Sequence, residues 1–224
     1  SLFTYDFGNV AKGEISGTKY EDLDGSGTLD GGETGLSDWT IKLYDEAGEL
    51  VAEETTDGSG DYSFIDLTPG TYTVVEVLQE GWLQTAPEAG QHTIVLASGG
   101  NSSDVDFGNA QPVEINGTKY EDLNGNGSRD GEEPALAGWL ISLYDHDDEF
   151  LEQQETDGDG SYAFTDLPPG DYTVEEFLTA GWAATTGESQ DVAAVSADVL
   201  TVDFGNVEYG EISGTKFHDI IFDG

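Results

Sequence analysis

The sequence predicts an all-β protein of two tandem Greek-key, antiparallel β-sandwiches, on three observations. The first is repetition. Glu14-Ile-Ser-Gly-Thr-Lys-Tyr-Glu-Asp22 returns as Glu114-Ile-Asn-Gly-Thr-Lys-Tyr-Glu-Asp122 and starts again as Glu211-Ile-Ser-Gly-Thr-Lys-Phe-His-Asp219. The second is a period of two: Trp39, Ile41 and Leu43 alternate with Thr40, Lys42 and Tyr44, as pleated strands require. The third is punctuation, since Gly, Asp and Pro gather between short runs, at 45–48, 57–60 and 68–70. No stretch has helical periodicity, and about seven short strands per unit suit a sandwich.

In chain order, Tyr5-Asp-Phe-Gly-Asn9 copies the ending of a unit, at 106–109 and 203–206, without the body that should precede it. The organisation is therefore a closing strand and linker (1–12), a first repeat (13–109), a second (110–206) and an opening strand of a following repeat (207–224). Repeats of about 100 residues are domain-sized, so the chain is an array of domains and not a solenoid.

Composition excludes several functions. Six Lys+Arg face 47 Asp+Glu, a net charge of -41, which repels nucleic acid and anionic membranes alike. No apolar run is long enough to span a bilayer. Aromatics at 11%, recurring in fixed places, argue against disorder. There is no cysteine, so rigidity must come from something other than disulfides. The chain begins without Met and with no leader before Ser1, which reads as a processed product or a fragment.

After the opening strand comes Asp22-Leu-Asp24-Gly-Ser26-Gly-Thr28-Leu-Asp30-Gly-Gly-Glu33. Oxygen side chains at loop positions 1, 3, 5, 9 and 12, a glycine at 6 and a backbone carbonyl at Thr28 match the EF-hand ligand spacing. The second repeat keeps the ligand class with Asp122, Asn124, Asn126, Ser128, Asp130 and Glu133. Calcium, a hard cation wanting six to eight oxygens, is the expected cofactor. Strands and not helices flank the loop, so the expected role is structural. The Asp57–Asp61 and Asp157–Asp159 turns read as Asx turns closing a hairpin, further ion sites being the alternative.

Three of five lysines, Lys19, Lys119 and Lys216, occupy one repeat position. Parity puts Lys19 on the inward face with Ile15 and Gly17, Glu76 with Tyr72 and Val74, and Asn109 with Val105 and Phe107. Such inward groups are costly unless they meet. One reading is a buried ion pair capped by an amide. The other is a self-formed amide bond, with a neutral lysine attacking the Asn carboxamide while Glu relays protons and ammonia leaves.

The order Ile-x-x-x-Lys, Pro-Gly-x-Tyr-Thr-Val-x-Glu and a closing strand ending in Asn resembles the collagen-adhesin B-type (CnaB) domains of bacterial surface proteins and pili. The calcium loop, Thr-Asp-Gly-x-Gly-x-Tyr-x-Phe and Asp-Phe-Gly resemble the B repeats of Sdr adhesins. This resemblance implies Ig-like or prealbumin-like sandwiches with an intramolecular isopeptide bond or, as in the Sdr type, calcium instead. Carried over by position, Lys19, Glu76 and Asn109 form one triad and Lys119, Glu176 and Asn206 the other, Glu175 competing with Glu176.

The expected function is an extracellular stalk or filament at the cell surface, not an enzyme beyond single-turnover bond formation. Its partners would be neighbouring repeats or subunits in a head-to-tail fibre. Rival readings are a ligand-binding adhesin module, for a protein or glycan, and a noncatalytic module of a polysaccharide-active enzyme. Trp82 and Trp182 are expected to cap the sandwich ends, a carbohydrate platform being the alternative. His92, His146 and His218 share no repeat position, which argues against zinc or catalysis. At the ends, Asn9 would pair with a lysine before Ser1, and Lys216 with an asparagine after Gly224. Strand addition between molecules is the competing account.

Overall fold

The structure is a computed structural model that describes residues 9–216, and every regular element among them is a strand. The first unit contains β1 (Gly13–Glu21), β2 (Thr40–Asp45), β3 (Leu50–Thr55), β4 (Asp61–Leu67), β5 (Gly70–Glu76), β6 (Leu83–Ala86), β7 (His92–Leu96), β8 (Asn101–Ser102) and β9 (Phe107–Ala110). The second repeats the plan as β10 (Val113–Glu121), β11 (Leu140–Asp145), β12 (Phe150–Glu155), β13 (Ser161–Leu167), β14 (Gly170–Glu176), β15 (Trp182–Ala184), β16 (Ser189–Ala194), β17 (Val199–Thr201) and β18 (Phe204–Glu208).

Each unit is a two-sheet sandwich. In the first, sheet β4-β1-β9-β6, with β8 also on β1, faces sheet β3-β2-β5-β7; the second unit has the corresponding pair. Alternation does the work: Ile15 from one sheet and Ile41, Leu43 and Val74 from the other are fully buried in one core with Phe64 and Phe107. Ile115, Ile141, Leu143, Val174, Phe164 and Phe204 build the second core.

Two expectations need correction. Nine strands form per unit instead of about seven, the short β6 and β8, or β15 and β17, raising the count. The sheets are also not antiparallel throughout. The first strand pairs in parallel with the last, Lys19 with Phe107 and Glu21 with Asn109, and likewise Lys119 with Phe204. Parallel neighbours need a long crossover, and here the whole unit between first and last strand supplies it.

The glycine of Ile-x-Gly-x-Lys follows from this pairing. A Cβ on Gly17 would stand 2.0 Å from the Val105 carbonyl oxygen, and one on Gly117 1.8 Å from that of Val202. Those carbonyls accept the Tyr62 and Tyr162 hydroxyls, which tie the fourth strand to the last.

At the C-terminal end, residues 211–216 form no strand and are exposed. In both units the opening strand lies between two others, and no such neighbours pair with 211–216 among the described residues. The closing-strand copy at 2–8 and residues 217–224, with His218, lie outside the described residues.

Candidate functional site

Each unit carries two devices joined by one backbone bond. The first is a buried cluster between the sheets. Lys19 on β1, Glu76 at the end of β5 and Asn109 on β9 converge, their side chains carried inward by strand parity; Lys19 and Asn109 are completely buried. Lys19 Nζ lies 3.4 Å from Glu76 Oε2 and donates to the Phe107 carbonyl at 3.1 Å. In the second unit Lys119 Nζ lies 2.9 Å from Glu176 Oε2 and 3.2 Å from the Phe204 carbonyl, with Asn206 completely buried. The choice between glutamates is resolved by exposure: Glu175 points to solvent, while Glu176 is buried and faces Lys119.

Burial drives the electrostatics. Desolvation pulls the Lys19 ammonium down to about 8, against the opposing pull of Glu76. It also pushes the Glu76 carboxyl up, with Lys19 and the Asn109 amide pulling back. Lys119 and Glu176 shift in the same two directions for the same first cause. Both shifts favour the neutral pair, an amine with a free lone pair beside a carboxylic acid. The side-chain N and O atoms of Asn109, Glu76, Asn206 and Glu176 are buried without a well-formed hydrogen bond. Unpaired polar atoms in a core are expensive, so their gathering in both units at one register needs a reason.

An aromatic roof was not anticipated from the sequence. Lys19 Nζ sits 4.4 Å from the Trp39 ring centroid and Lys119 Nζ 4.5 Å from that of Trp139. Trp82 and Trp182 pack edge-on against these rings at 5.6 Å, backing the roof. The signal was available: Trp39 and Trp139 recur one alternation before Ile41 and Ile141, hence on the inward face.

The second device is the loop after the first strand. Carboxylate oxygens of Asp22, Asp24 and Glu33 can lie within 4.8 Å of one another. Asp22 is completely buried and its Oδ1 has no partner, while Oδ2 accepts the Gly27 amide at 2.9 Å. Glu33 reaches back to the Leu23 amide at 2.7 Å and the Asp30 amide at 2.8 Å. Ser26 and Thr28 sit at the exposed rim, the Ser26 hydroxyl on the Thr28 carbonyl at 3.2 Å. A buried, unpartnered carboxylate oxygen facing two further carboxylates fits a hard divalent cation.

The second loop keeps the Asp122 bond to the Gly127 amide at 2.7 Å and the Glu133 bonds to those of Leu123 and Asp130 at 2.9 and 3.0 Å. It differs at Asp122 Oδ1, which accepts the Gly125 and Asn126 amides at 2.7 and 3.1 Å, where Asp22 Oδ1 has no partner. Here Asn124 and Asn126 donate their side-chain amides to Asp130 at 2.6 and 3.0 Å, and Ser128 donates its backbone amide to Asn126 at 2.7 Å. Burial pushes the Asp122 carboxyl up, but hydrogen bonds from Thr185 and the amides of Gly127, Asn126 and Gly125 outweigh it and hold the carboxyl low. The two devices meet where the Asp22 amide donates to the Asn109 carbonyl at 2.8 Å, and Asp122 to Asn206 at the same distance.

The remaining candidates are structural. His92 Nε2 bonds the Asp106 carbonyl at 2.7 Å, and Gln190 makes the same bond to Asp203 in the second unit. The Asp57 carboxylate accepts the Ser59 and Asp61 amides at 2.8 and 3.0 Å, an Asx turn, and Asp157 does likewise. No helix among the described residues is long and apolar enough to cross a membrane.

The serine-aspartate repeat-containing protein D of Staphylococcus aureus (strain Newman) is 32% identical over 177 residues, covering 74% of this chain and 14% of that protein. Serine-aspartate repeat-containing protein F of Staphylococcus epidermidis (strain ATCC 12228) is 29% identical over 208 residues, 83% of this chain and 13% of that protein. The chain thus spans about a seventh of the relatives it matches. Among solved structures, the Bacillus anthracis TIE protein is similar at 22% identity and a TM-score of 0.40, over 88% of this chain and 35% of that one. With matches over residues 5–112 and 113–215, one for each sandwich, the chain belongs to the SdrD B-like domain family.

Proposed function

We propose that the chain is a noncatalytic structural segment of a cell-surface stalk, each sandwich stiffened by calcium and by an internal Lys–Asn isopeptide bond. The observation that carries this reading is the buried Lys–Glu–Asn cluster, present in both units at one register, with the Glu and Asn side-chain atoms lacking a well-formed hydrogen bond. A neutral lysine amine under a tryptophan is a nucleophile, and a neighbouring protonated glutamic acid polarises the Asn carboxamide. The Lys19 Nζ–Asn109 Cγ bond forms, the Cγ–Nδ2 bond breaks, and Glu76 passes the proton that lets ammonia leave. The same step joins Lys119 to Asn206, with Glu176 as relay. It runs once per unit and makes nothing but the fold.

Geometry favours a load-bearing role. The bond would join the first strand to the last of each unit, so tension entering at one end and leaving at the other would bypass the intervening strands. Calcium would hold the loop that extends the first strand, with Asp22, Asp24, Asp30 and Glu33, or Asp122, Asn124, Asp130 and Glu133, supplying oxygens. The family match and the Sdr relatives support placement in a surface protein.

Intact-mass measurement tests the bond. Two ammonia losses are expected, and Glu76→Ala should remove the first loss while leaving the second. A mass equal to the plain sequence would reduce both clusters to noncovalent ion pairs. Melting with calcium and after chelation tests the metal: an unchanged transition after confirmed removal would end the calcium reading.

A further inference from the structure

The two units meet at a joint, and both halves of that joint recur in the chain. In the turn between β16 and β17, the Ser196 amide donates to the Leu23 carbonyl at 2.8 Å. The Ser196 hydroxyl donates to Glu21 Oε1 at 2.9 Å and accepts the amide of linker residue Gln111 at 2.9 Å. Beside it, Gly25 lies so close to the second unit that a Cβ would stand 2.4 Å from the Pro169 carbonyl oxygen. Pro169 is buried there. The rim of the first metal loop is thus a seat for the Pro-Gly turn and turn serine of the unit that follows.

Among the described residues, the second unit presents the same seat open. Gly125 has the same left-handed backbone, φ 71° against 74° at Gly25, yet a Cβ on it would meet nothing within 4 Å. Leu23 is half-buried while its counterpart Leu123 is 61% exposed. The first unit carries the matching plug. Ser98 accepts the Ala11 amide at 2.9 Å, as Ser196 does that of Gln111, and Pro69, the counterpart of Pro169, is only half-buried.

We propose that the Glu121–Gly125 face of the second unit is a docking seat for a further copy of this module. The incoming copy lays its Pro-Gly turn over Gly125 and sets its turn serine between the Glu121 carboxylate and the Leu123 carbonyl. Continuity with the internal joint selects this occupant: the same residues, with Asn124 in place of Asp24, and the same left-handed glycine already hold one copy. The groups that make the seated contacts, a hydroxyl, an amide and a proline, are uncharged, while Asp145, Glu152 and Asp171 line the cleft beside Asp24 and Gly25. The contact is heterologous, so repeating it extends a line and does not close a ring. It is small, and tethering in one chain supplies the effective concentration it needs. This deepens the stalk reading, on which it rests for the order of the modules, by naming what covers the exposed end.

Lys216 holds the repeat position of Lys119, so residues 120–206 joined after Lys216 extend the chain by a third module. The natural chain has no cysteine, so introduced pairs report without background. One pair is Glu21→Cys with Ser196→Cys across the internal joint; the other is Glu121→Cys with the same serine change in the added copy. A decoy combines Glu121→Cys with Glu155→Cys in the added copy, an exposed position at the end of β12 that pairs with Leu140, away from the joint. With oxidised glutathione, both joint pairs should form disulfides at least tenfold faster than the decoy. If the internal pair reacts and the new pair matches the decoy, the seat does not take a copy. If neither outpaces the decoy, the internal joint itself fails and the proposal falls with it. Fast reaction of both pairs in a chain whose melting ignores calcium upholds the seat and removes only the calcium part of the stalk reading.

Discussion

The two units keep one device and vary the other. Lys, Glu, Asn and the roofing Trp recur type for type at Lys19, Glu76, Asn109 and Trp39 and at Lys119, Glu176, Asn206 and Trp139. The candidate metal loops differ: at the ligand positions the first carries four carboxylates, Asp22, Asp24, Asp30 and Glu33, whereas the second has Asn124 and Asn126 in place of Asp24 and Ser26 and keeps three, Asp122, Asp130 and Glu133. The proposed amide-forming cluster needs an amine, a carboxamide and an acid at fixed places and reach, which leaves few substitutions open. A calcium shell needs oxygens, and carboxylate, amide and hydroxyl all qualify. Tolerance to substitution thus separates the proposed reaction from the proposed coordination shell within one sequence.

The sharpest break of this pairing comes from removing one charge of a cluster. Glu176→Ala leaves the Lys119 ammonium buried without an anion and, in the proposed chemistry, without a relay, and Glu76→Ala does the same to Lys19. Each should cost its own unit about 3–5 kcal/mol in denaturant unfolding and leave the other unit's transition in place. A loss below about 1 kcal/mol would mean that the cluster opens to water and is not a sealed pair.

Calcium tests the other half. At a hundred times Kd, bound calcium should add about 2.7 kcal/mol to a unit. The first loop, with its fourth carboxylate, should fill at lower calcium than the second, since ligand charge sets affinity. Asp24→Asn should bring the two titration midpoints together in a calorimetric titration. Loops that fill together in the natural chain would show that frame rigidity, and not charge, sets affinity here.

The pH dependence separates bonded from unbonded lysine. In Glu76→Gln the relay is gone and Lys19 stays a free amine, held by burial at or below about 8 instead of the ordinary 10.5. Between those values the unfolded chain holds more protons than the folded one, so stability rises with pH across that window and is flat above it. The natural first unit, with Lys19 tied up as an amide, should lack this rise in thermal melts from pH 7 to 11. A rise of equal size in both would mean that Lys19 is free in the natural chain.

What was legible in the sequence follows from what strand geometry encodes. Alternation assigns a face, so Ile15, Lys19, Glu76 and Asn109 could be set inward from parity, and ligand spacing marked out the two acidic loops proposed to hold calcium. Alternation carries no information about which strand lies alongside, so the parallel pairing of β1 with β9 could not be read. The same gap hid Trp39: parity turned it inward, but only the packing of β1 against the start of β2 brings its ring over Lys19. Ser196 lay beyond reach for the same reason, since its partners Glu21 and Leu23 belong to another unit.

The smallest effect sharpens the comparison by confining it to one loop. If the units differ as metal binders only between the first and second strands, the Asp57 and Asp157 turns must be silent toward cations. Their carboxylates each cap two backbone amides in the manner of an Asx turn, a role that an asparagine oxygen performs as well. Asp57→Asn and Asp157→Asn should therefore change stability by less than about 0.5 kcal/mol, with the same small shift in both units and unchanged calcium stoichiometry. Any cation held there would need the second oxygen and the charge that asparagine lacks, so a lost equivalent of calcium would turn these hairpins into metal sites. A loss in one unit alone would move the difference between the units from the metal loop to the turn.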